Sequence, residues 1–329
     1  MAEVSGVLLV DKSGGTTSRR VAEALGRCFA RPRRRRGDGS RFRVGHAGTL
    51  DPLATGLLVV LVGRATRLQP FLLGMDKTYS ATVRLGVNTD SLDSDGEVIE
   101  TMAVPADPGD LAALAAKFIG EVMQVPPLVS ALKRGGRSLH ALVRAGEQPE
   151  PPPARPVRID SLVLTRGRWG ELPAADDEGS LPPDGRIYEL ELLVDCGSGT
   201  YVRSLARDLA ETLGTVGHIV NLRRLRVGPF LVDGACRADA DPDTVRQALL
   251  PMTEALPHLP AIILTDEQCD QLRNGTQPDP AWVPEPVPEL YRLQAAAGEL
   301  VALGRRDPDT DLPALAVVFP ASTEDEPCA

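Results

Sequence analysis

Asp51 sits between Leu50 and Pro52-Leu53 in the glycine-rich stretch Val44 to Gly56, V-G-H-A-G-T-L-D-P-L-A-T-G. The proline biases Asp51 toward extended backbone, so the carboxylate is held by a stiff loop. Leucines on either side desolvate it in part, which disfavours the charged form unless a cation compensates. A carboxylate so held can serve as a nucleophile; an Asp-Pro pair can equally be a plain turn. Arg203 is a candidate cation. It stands beside the apolar stripe Val202, Leu205, Ala206, Leu209 and Leu213, in the first turn of a helix predicted over Tyr201 to Leu213 and stopped by Gly214. A cation there opposes the helix dipole and calls for an anion. That anion is Asp51 or, within the helix itself, Asp208 or Glu211, although Arg207 suits the latter role better.

The elements that must position these groups follow from periodicity. Gly6 to Asp11 reads as a short strand, with Thr17-Ser18 as a cap for an amphipathic stretch Val21 to Phe29. Gly56 to Gly63 is a continuous Leu/Val run, short enough for a buried strand. Lys77 to Leu85 alternates, with Tyr79, Ala81, Val83 and Leu85 on one face and Thr78, Ser80, Thr82 and Arg84 on the other. Tyr79 on the apolar face can line a pocket or simply fill the core. Asp110 to Ile119 has helical spacing; Arg158 to Thr165 and Ile187 to Cys196 read as strands. Gln148 to Pro156 and Trp169 to Pro183 read as surface excursions. After Pro257 a second pattern begins: Ala261 to Leu264, a helix over Glu267 to Arg273, then strands near Tyr291, Leu300 and Val317. Periodicity thus gives mixed α and β structure, with a small β-rich unit at the end.

Composition narrows the functions. The 329 residues are 43% hydrophobic, enough for a substantial core. The first residues lack the pattern of a secretory signal and no apolar run is long enough to span a bilayer, so a soluble, cytoplasmic protein is expected. Cys28, Cys196, Cys236, Cys269 and Cys328 are scattered singly, and the four histidines show no metal-ligand spacing relative to them. The net charge of −9 opposes whole-surface attraction to a polyanion. Charge is segregated, however. Arg31, Arg33, Arg34, Arg35, Arg36, Arg41 and Arg43 cluster around a single acid, Asp38, whereas acids gather in Glu171 to Asp184 and in Glu324, Asp325 and Glu326. Clustered arginine suits phosphate contact through counterion release, or is a solvated basic loop.

Gly45 to Gly56, G-H-A-G-T-L-D-P-L-A-T-G, resembles the catalytic loop of the TruB family of tRNA pseudouridine synthases. The likeness runs in order through Gly6 to Lys12 (G-V-L-L-V-D-K), Asp76 to Tyr79 (D-K-T-Y) and Arg84 to Gly96 (R-L-G-V-N-T-D-S-L-D-S-D-G). It continues through Pro126 to Lys133 (P-P-L-V-S-A-L-K), Gly199 to Arg203 (G-T-Y-V-R) and His218 to Arg224 (H-I-V-N-L-R-R), roughly the first two-thirds of the chain. The resemblance implies an α/β (α+β) fold with a central mixed, mostly antiparallel sheet, flanking helices and a cleft. It implies a catalytic domain over 1–257 with insertions at 31–41 and 168–184, a PUA-like domain over 258–320 and an acidic tail over 321–329. The implied reaction converts the T-loop uridine at position 55 of tRNA to pseudouridine in a monomer, with no cofactor or metal.

By the same resemblance Asp51 is the nucleophile, Tyr79 stacks on the target base and Arg203 pairs with Asp51. His46 enters the disrupted RNA loop, Tyr201 and Leu222 contact substrate, and Asp93 or Asp90 lies near the base. Lys12, Lys133, Arg223 and Arg224 touch phosphate or brace the site. The sequence departs from the family pattern at Ser13, where proline is usual, at Val129, where an aromatic is common, and in the density of Arg31 to Arg36, which bears on the first turn and the pocket rim. Two rival readings are a non-catalytic RNA-binding protein on the same scaffold, against which the intact Asp51, Tyr79 and Arg203 set argues, and an aspartyl phosphotransferase, for which no phosphate-cradling glycine loop is found.

Overall fold

The computed structural model describes residues 4–29, 43–130, 132–147, 149–171 and 185–321. Arg31 to Arg36 and Arg41, the acidic run after Glu171, Cys328 and the tail acids lie outside the described residues, as do the 31–41 insertion and most of that at 168–184.

A ten-stranded sheet organises the chain. Its path runs from Cys236–Arg237 through Gly6–Lys12, Thr55–Val62, Gly217–Val227, Lys77–Leu85, Arg186–Cys196 and Arg155–Glu171 to Gly120–Gln124. Two pairings are parallel, Gly6–Lys12 with Cys236–Arg237 and Thr55–Val62 with Gly217–Val227; the others are antiparallel. The sheet is therefore mixed and mostly antiparallel. The Leu/Val run lies inside it, and every residue from Gly56 to Val62 is buried, as expected for a strand covered on both faces.

The alternation of Lys77–Leu85 is realised in space. Tyr79, Ala81, Val83 and Leu85 are buried against the helix Val202–Thr212, whose Val202, Leu205, Ala206 and Leu209 form the apolar stripe. On the other face, Thr78 and Thr82 hydrogen-bond the carboxylates of Asp195 and Glu191, and Arg84 pairs with Glu189 at 2.8 Å. Gly214, at φ +76°, ends the helix as expected. The helical pattern over Asp110 to Ile119 is realised only as Leu111–Ala116. Asp110 caps it, and Gly120 at φ +101° turns the chain into the edge strand Gly120–Gln124. Trp169 and Arg155, assigned above to surface excursions, lie within the long strand Arg155–Glu171.

A four-stranded sheet of Ala261–Leu264, Leu290–Ala295, Leu300–Arg306 and Pro313–Val318, with the helix Asp266–Arg273, forms the β-rich end of the chain. Leu264, Cys269, Leu272, Tyr291 and Leu293 make its own core. Leu300, Leu303 and Phe319 instead pack with Val7, Leu57, Val59 and Leu61 against the large sheet. Among the described residues, no helix is long and apolar enough to cross a membrane.

The loop before Thr55–Val62 is fastened from three sides. Lys12 is fully buried and donates to the carbonyls of Ser13, Pro52 and Ala54 at 3.0, 3.1 and 2.5 Å. This corrects the expectation of a substrate contact: the ammonium has no exposed surface for a phosphate, and the residue braces the loop. Thr17 caps the first helix, while the next residue, Ser18, is buried, donates to the Leu50 carbonyl at 2.9 Å and accepts from the Leu50 amide at 2.8 Å. At the far end Gly56, at φ +97°, lies so close to Arg224 that a Cβ would collide with its carbonyl and come within 2.8 Å of its amide nitrogen.

Two expectations follow. Gly56→Ala combines a left-handed backbone with a backbone collision and is expected to destabilise the protein by about 2–4 kcal/mol, read from the shift in denaturant midpoint. Burial pushes the Lys12 ammonium from 10.5 down to about 8. Between those values the unfolded chain holds this proton more tightly than the folded one, so the stability contributed by Lys12 rises with pH across that window. The stability deficit of Lys12→Met relative to the parent is expected to widen from pH 8 toward pH 10. Parallel unfolding curves over that range would contradict the assignment.

Candidate active site

Arg203 is the meeting point of four segments. Its side chain is 4% exposed, and its Nε lies 2.9 Å from Oδ2 of Asp51, which is 34% exposed. Nη1 donates to the Ser91 carbonyl at 2.6 Å and lies 3.4 Å from Oδ2 of buried Asp93. Nη2 donates to the Val129 carbonyl at 2.9 Å. The anion that Arg203 requires is thus Asp51, with Asp93 behind it. Arg207 takes the local role, pairing with Asp208 at 2.7 Å and lying 3.8 Å from Glu211. A buried guanidinium with partners at all three nitrogens is oriented as well as neutralised, and its planar fork holds a carboxylate in one geometry.

Asp93 reaches this position because its segment is laid against the strand Gly217–Val227. The Ile219 amide donates to the Leu92 carbonyl at 3.1 Å, and the Ser94 amide to the Ile219 carbonyl at 3.0 Å. The Ser91 hydroxyl, at 2.6 Å, and the Asp95 amide, at 3.1 Å, bond to Oδ1 of Asp93. Burial raises the Asp93 carboxyl above its ordinary range, against the pull of the Ser91 hydroxyl and the Arg203 charge. Asp90, the alternative named above, is exposed and accepts from the Glu97 amide at 3.0 Å. It closes the turn, whereas Asp93 lies 3.4 Å from Arg203.

Tyr79 is 8% exposed and lies directly opposite Arg224 in the antiparallel pairing. Burial raises its phenol, the Arg224 charge opposes the rise and the Asp51 charge adds to it. Asp51 is therefore within electrostatic range of the ring. Leu222 is buried beside Ala81 on the same face. His46 ends the short strand Val44–His46, and its carbonyl is fixed by the Gln69 amide at 2.8 Å. Its Nδ1 is buried with no hydrogen-bond partner among the described residues, and burial followed by the Arg224 charge depresses its pKa.

Tyr201 precedes the helix that carries Arg203, and its ring lies 5.2 Å beneath the Arg155 guanidinium. Gln124, which sequence reading missed, clasps the Tyr201 backbone: its side-chain amide donates to the carbonyl at 3.1 Å and its oxygen accepts from the amide at 2.8 Å. Ser204 adds a bond to the Val125 carbonyl at 2.8 Å. These are side-chain bonds to backbone, as is the Ser18 clasp on Leu50, and only the isolation of a polar residue among apolar ones could have hinted at them. Lys133 is exposed in the hairpin Lys133–Arg134 with Arg137–Ser138, apart from the Arg203 cluster. Arg223 faces the opposite way from Arg224 and forms a two-pronged pair with Asp11 at 3.0 and 2.7 Å.

Comparison with known proteins bears on the same segments. Residues 35–202 match the model of the TruB family pseudouridylate synthase N-terminal domain, and residues 203–257 match that of the tRNA pseudouridylate synthase B C-terminal domain. A protein of Gluconacetobacter diazotrophicus named tRNA pseudouridine synthase B is 41% identical over 279 residues, 83% of this chain and 82% of that one. One of the same name from Cutibacterium acnes is 39% identical over 310 residues, 93% of this chain and 95% of its own. Among solved structures, a chain from the crystal structure of a Cbf5-Nop10-Gar1 complex superposes with a TM-score of 0.63 at 24% identity, covering 95% of this chain and 84% of that one, a likeness of fold. The chain belongs to the TruB family of pseudouridylate synthases and is an isomerase.

Proposed function

We propose that the protein converts the uridine at position 55 in the T-loop of tRNA to pseudouridine, with Asp51 as nucleophile. The observation that carries this reading is the 2.9 Å contact between a partly exposed Asp51 and a buried Arg203. Isomerisation breaks the bond between the uracil nitrogen and the sugar, turns the base and rejoins it through a ring carbon, with no net oxidation. The base must first leave its stack, at a cost of a few kcal/mol that is least where the RNA is already looped. Stacking on Tyr79 offsets part of that cost.

Arg203 holds Asp51 at 2.9 Å and aims it, so the carboxylate is poised to attack the extruded nucleotide. Asp93 adds a second carboxylate at 3.4 Å from Arg203, and Asp51, at 2.9 Å, is the nearer counterion. His46, half-buried at the end of the strand Val44–His46, enters the opened RNA loop in this reading. Tyr201 and exposed Lys133 serve as further RNA contacts, and Leu222 backs the pocket under the base. Recognition by the shape of the T stem-loop suits a protein of net charge −9, because shape and splayed bases need less long-range attraction than a bare duplex does. Residues 1–257 act as the catalytic domain and 258–320 as a PUA-like appendage.

Asp51→Asn is expected to abolish pseudouridine formation on an unmodified tRNA transcript, a loss of roughly a thousandfold or more in kcat, while tRNA affinity in a filter-binding assay stays within about threefold. Wild-type turnover by Asp51→Asn would end the nucleophile assignment, and a wild type silent on every tRNA while still binding it would favour an RNA-binding role. Arg203→Lys keeps the charge but loses the fork, and a fall in kcat of roughly a hundredfold with little change in KM is expected in single-turnover measurements.

A further inference from the structure

Arg155 opens the strand Arg155–Glu171 and stands directly opposite Gln124 in the antiparallel pairing with Gly120–Gln124. Cross-strand partners share a face of the sheet, and on that face both reach the segment that leads into the Arg203 helix. Gln124 grips both polar groups of the Tyr201 backbone. Arg155 donates from Nη2 to the Gly199 carbonyl at 2.7 Å, and its guanidinium carbon lies over the Tyr201 ring, 5.2 Å from its centre. A cation over an aromatic face is attracted by the ring's quadrupole. The guanidinium is thus held at two points and in one orientation.

What Arg155 lacks, among the described residues, is a carboxylate partner. Arg158, three positions along the same strand and so on the opposite face, is matched twice, by Asp76 and by Asp160, each at 2.6 Å. Arg155 is only partly exposed, and its Nε and Nη1 have no partner among the described residues. An oriented guanidinium with donors to spare suits an anion that offers two oxygens. We infer that Arg155 takes a backbone phosphate of the bound tRNA, beside the nucleotide that enters the site. Tyr201 stands two residues before Arg203, whose Nε holds Asp51 at 2.9 Å, so RNA that delivers a uridine to Asp51 brings its backbone past this edge. The planar fork matches phosphate oxygens, and a phosphate contact fixes the register of the RNA without reading its bases. The inference rests on the proposed binding of tRNA at this site and adds to it one residue and one class of contact.

The test compares Arg155→Gln and Arg155→Lys with the parent by filter binding of a tRNA transcript over a series of salt concentrations. Arg155→Gln is expected to weaken binding about tenfold at roughly 0.1 M salt and to lower the slope of log affinity against log salt by about one, the share of a single phosphate contact. Arg155→Lys keeps the charge and is expected to keep the slope. An unchanged slope in Arg155→Gln would overturn the proposal whatever happened to kcat or melting temperature, and would leave Arg155 as a brace for Tyr201.

A second readout locates the contact on the RNA. With T stem-loop RNAs that carry a single uncharged methylphosphonate, moved one position at a time, one position is expected to weaken binding by the parent and to have no further effect in Arg155→Gln. The remaining positions are expected to act equally on both proteins. Additive losses at every position would overturn the assignment even if the slope changed. A parent that leaves uridine 55 unmodified but shows the same position-specific coupling would count against the proposed function and not against the phosphate contact. Should Arg155→Gln fail to fold, Arg155→Met, which keeps an aliphatic stem over the Tyr201 ring, carries the same expectations.

Discussion

The site depends on a guanidinium that has nowhere else to go. Arg203 occupies the first turn of a helix whose apolar stripe must face the sheet, so its side chain is carried inward with the stripe. Once there, its charge is almost fully withdrawn from water, and a buried charge is tolerated only when paired and hydrogen-bonded. Two backbone carbonyls and two carboxylates meet that demand. Asp93 is the more deeply buried acid, and burial raises its carboxyl pKa, whereas Asp51 retains solvent access. One arginine thus holds two unlike carboxylates, an inner buried one and an outer one that stays open to solvent.

The rest of the molecule serves to bring a loop carboxylate to that arginine across more than 150 residues of sequence. The parallel register that sets Arg223 and Arg224 beside Thr55 and Gly56 delivers the loop to the same edge at which Tyr79 meets Arg224. Gly56 permits that approach because any side chain would enter the Arg224 backbone. Lys12 fills the space under the loop with an ammonium that satisfies three carbonyls, and Ser18 ties both polar groups of Leu50. A loop held by so many bonds to its own backbone has little freedom left at Asp51. Such fixing lowers the entropic cost of any role that needs the carboxylate in one place.

Much of the scaffold was legible because it depends on local pattern. The Leu/Val run, the alternation of Lys77–Leu85 and the stripe of Val202–Thr212 each bury what their period assigns. The site was legible only in part. Burial and charge made Arg203 want an anion, but nothing local chose Asp51 over Asp208; that choice rested on motifs in order, because the partner lies across the fold. Asp90 and Asp93 differ by three positions and could not be ranked until the strand Gly217–Val227 fixed which one turns inward. The resemblance left Lys12 either to touch phosphate or to brace the site, and its depth in the fold selects bracing. Gln124 and Ser18 left no signal, since a side chain that bonds to backbone places no constraint on the residue type it touches.

The distribution of charge completes the physical picture. On the β-rich C-terminal unit the arginines are largely committed: Arg273 pairs with Glu299 at 2.8 Å, Arg306 lies 3.7 Å from Asp311, and Arg292 spends its donors on the carbonyls of Thr253, Pro257 and Leu259. Those three carbonyls belong to the connection between the two sheets, so Arg292 secures the orientation of the unit. Arg67 lies over the Phe319 ring and bonds to the Val318 carbonyl, and Arg64 bonds to that of Pro320, fixing the far end. Between these fastenings Leu300, Leu303 and Phe319 press on Leu57, Val59 and Leu61, the strand that leaves the Asp51 loop. The same strand offers its Leu57 carbonyl to Arg224. The appended unit therefore backs the sheet beneath the strand from which the Asp51 loop is hung. Arginines spent in this way contribute little counterion release to phosphate binding, so attraction for a polyanion has to come from the exposed cations elsewhere on the chain.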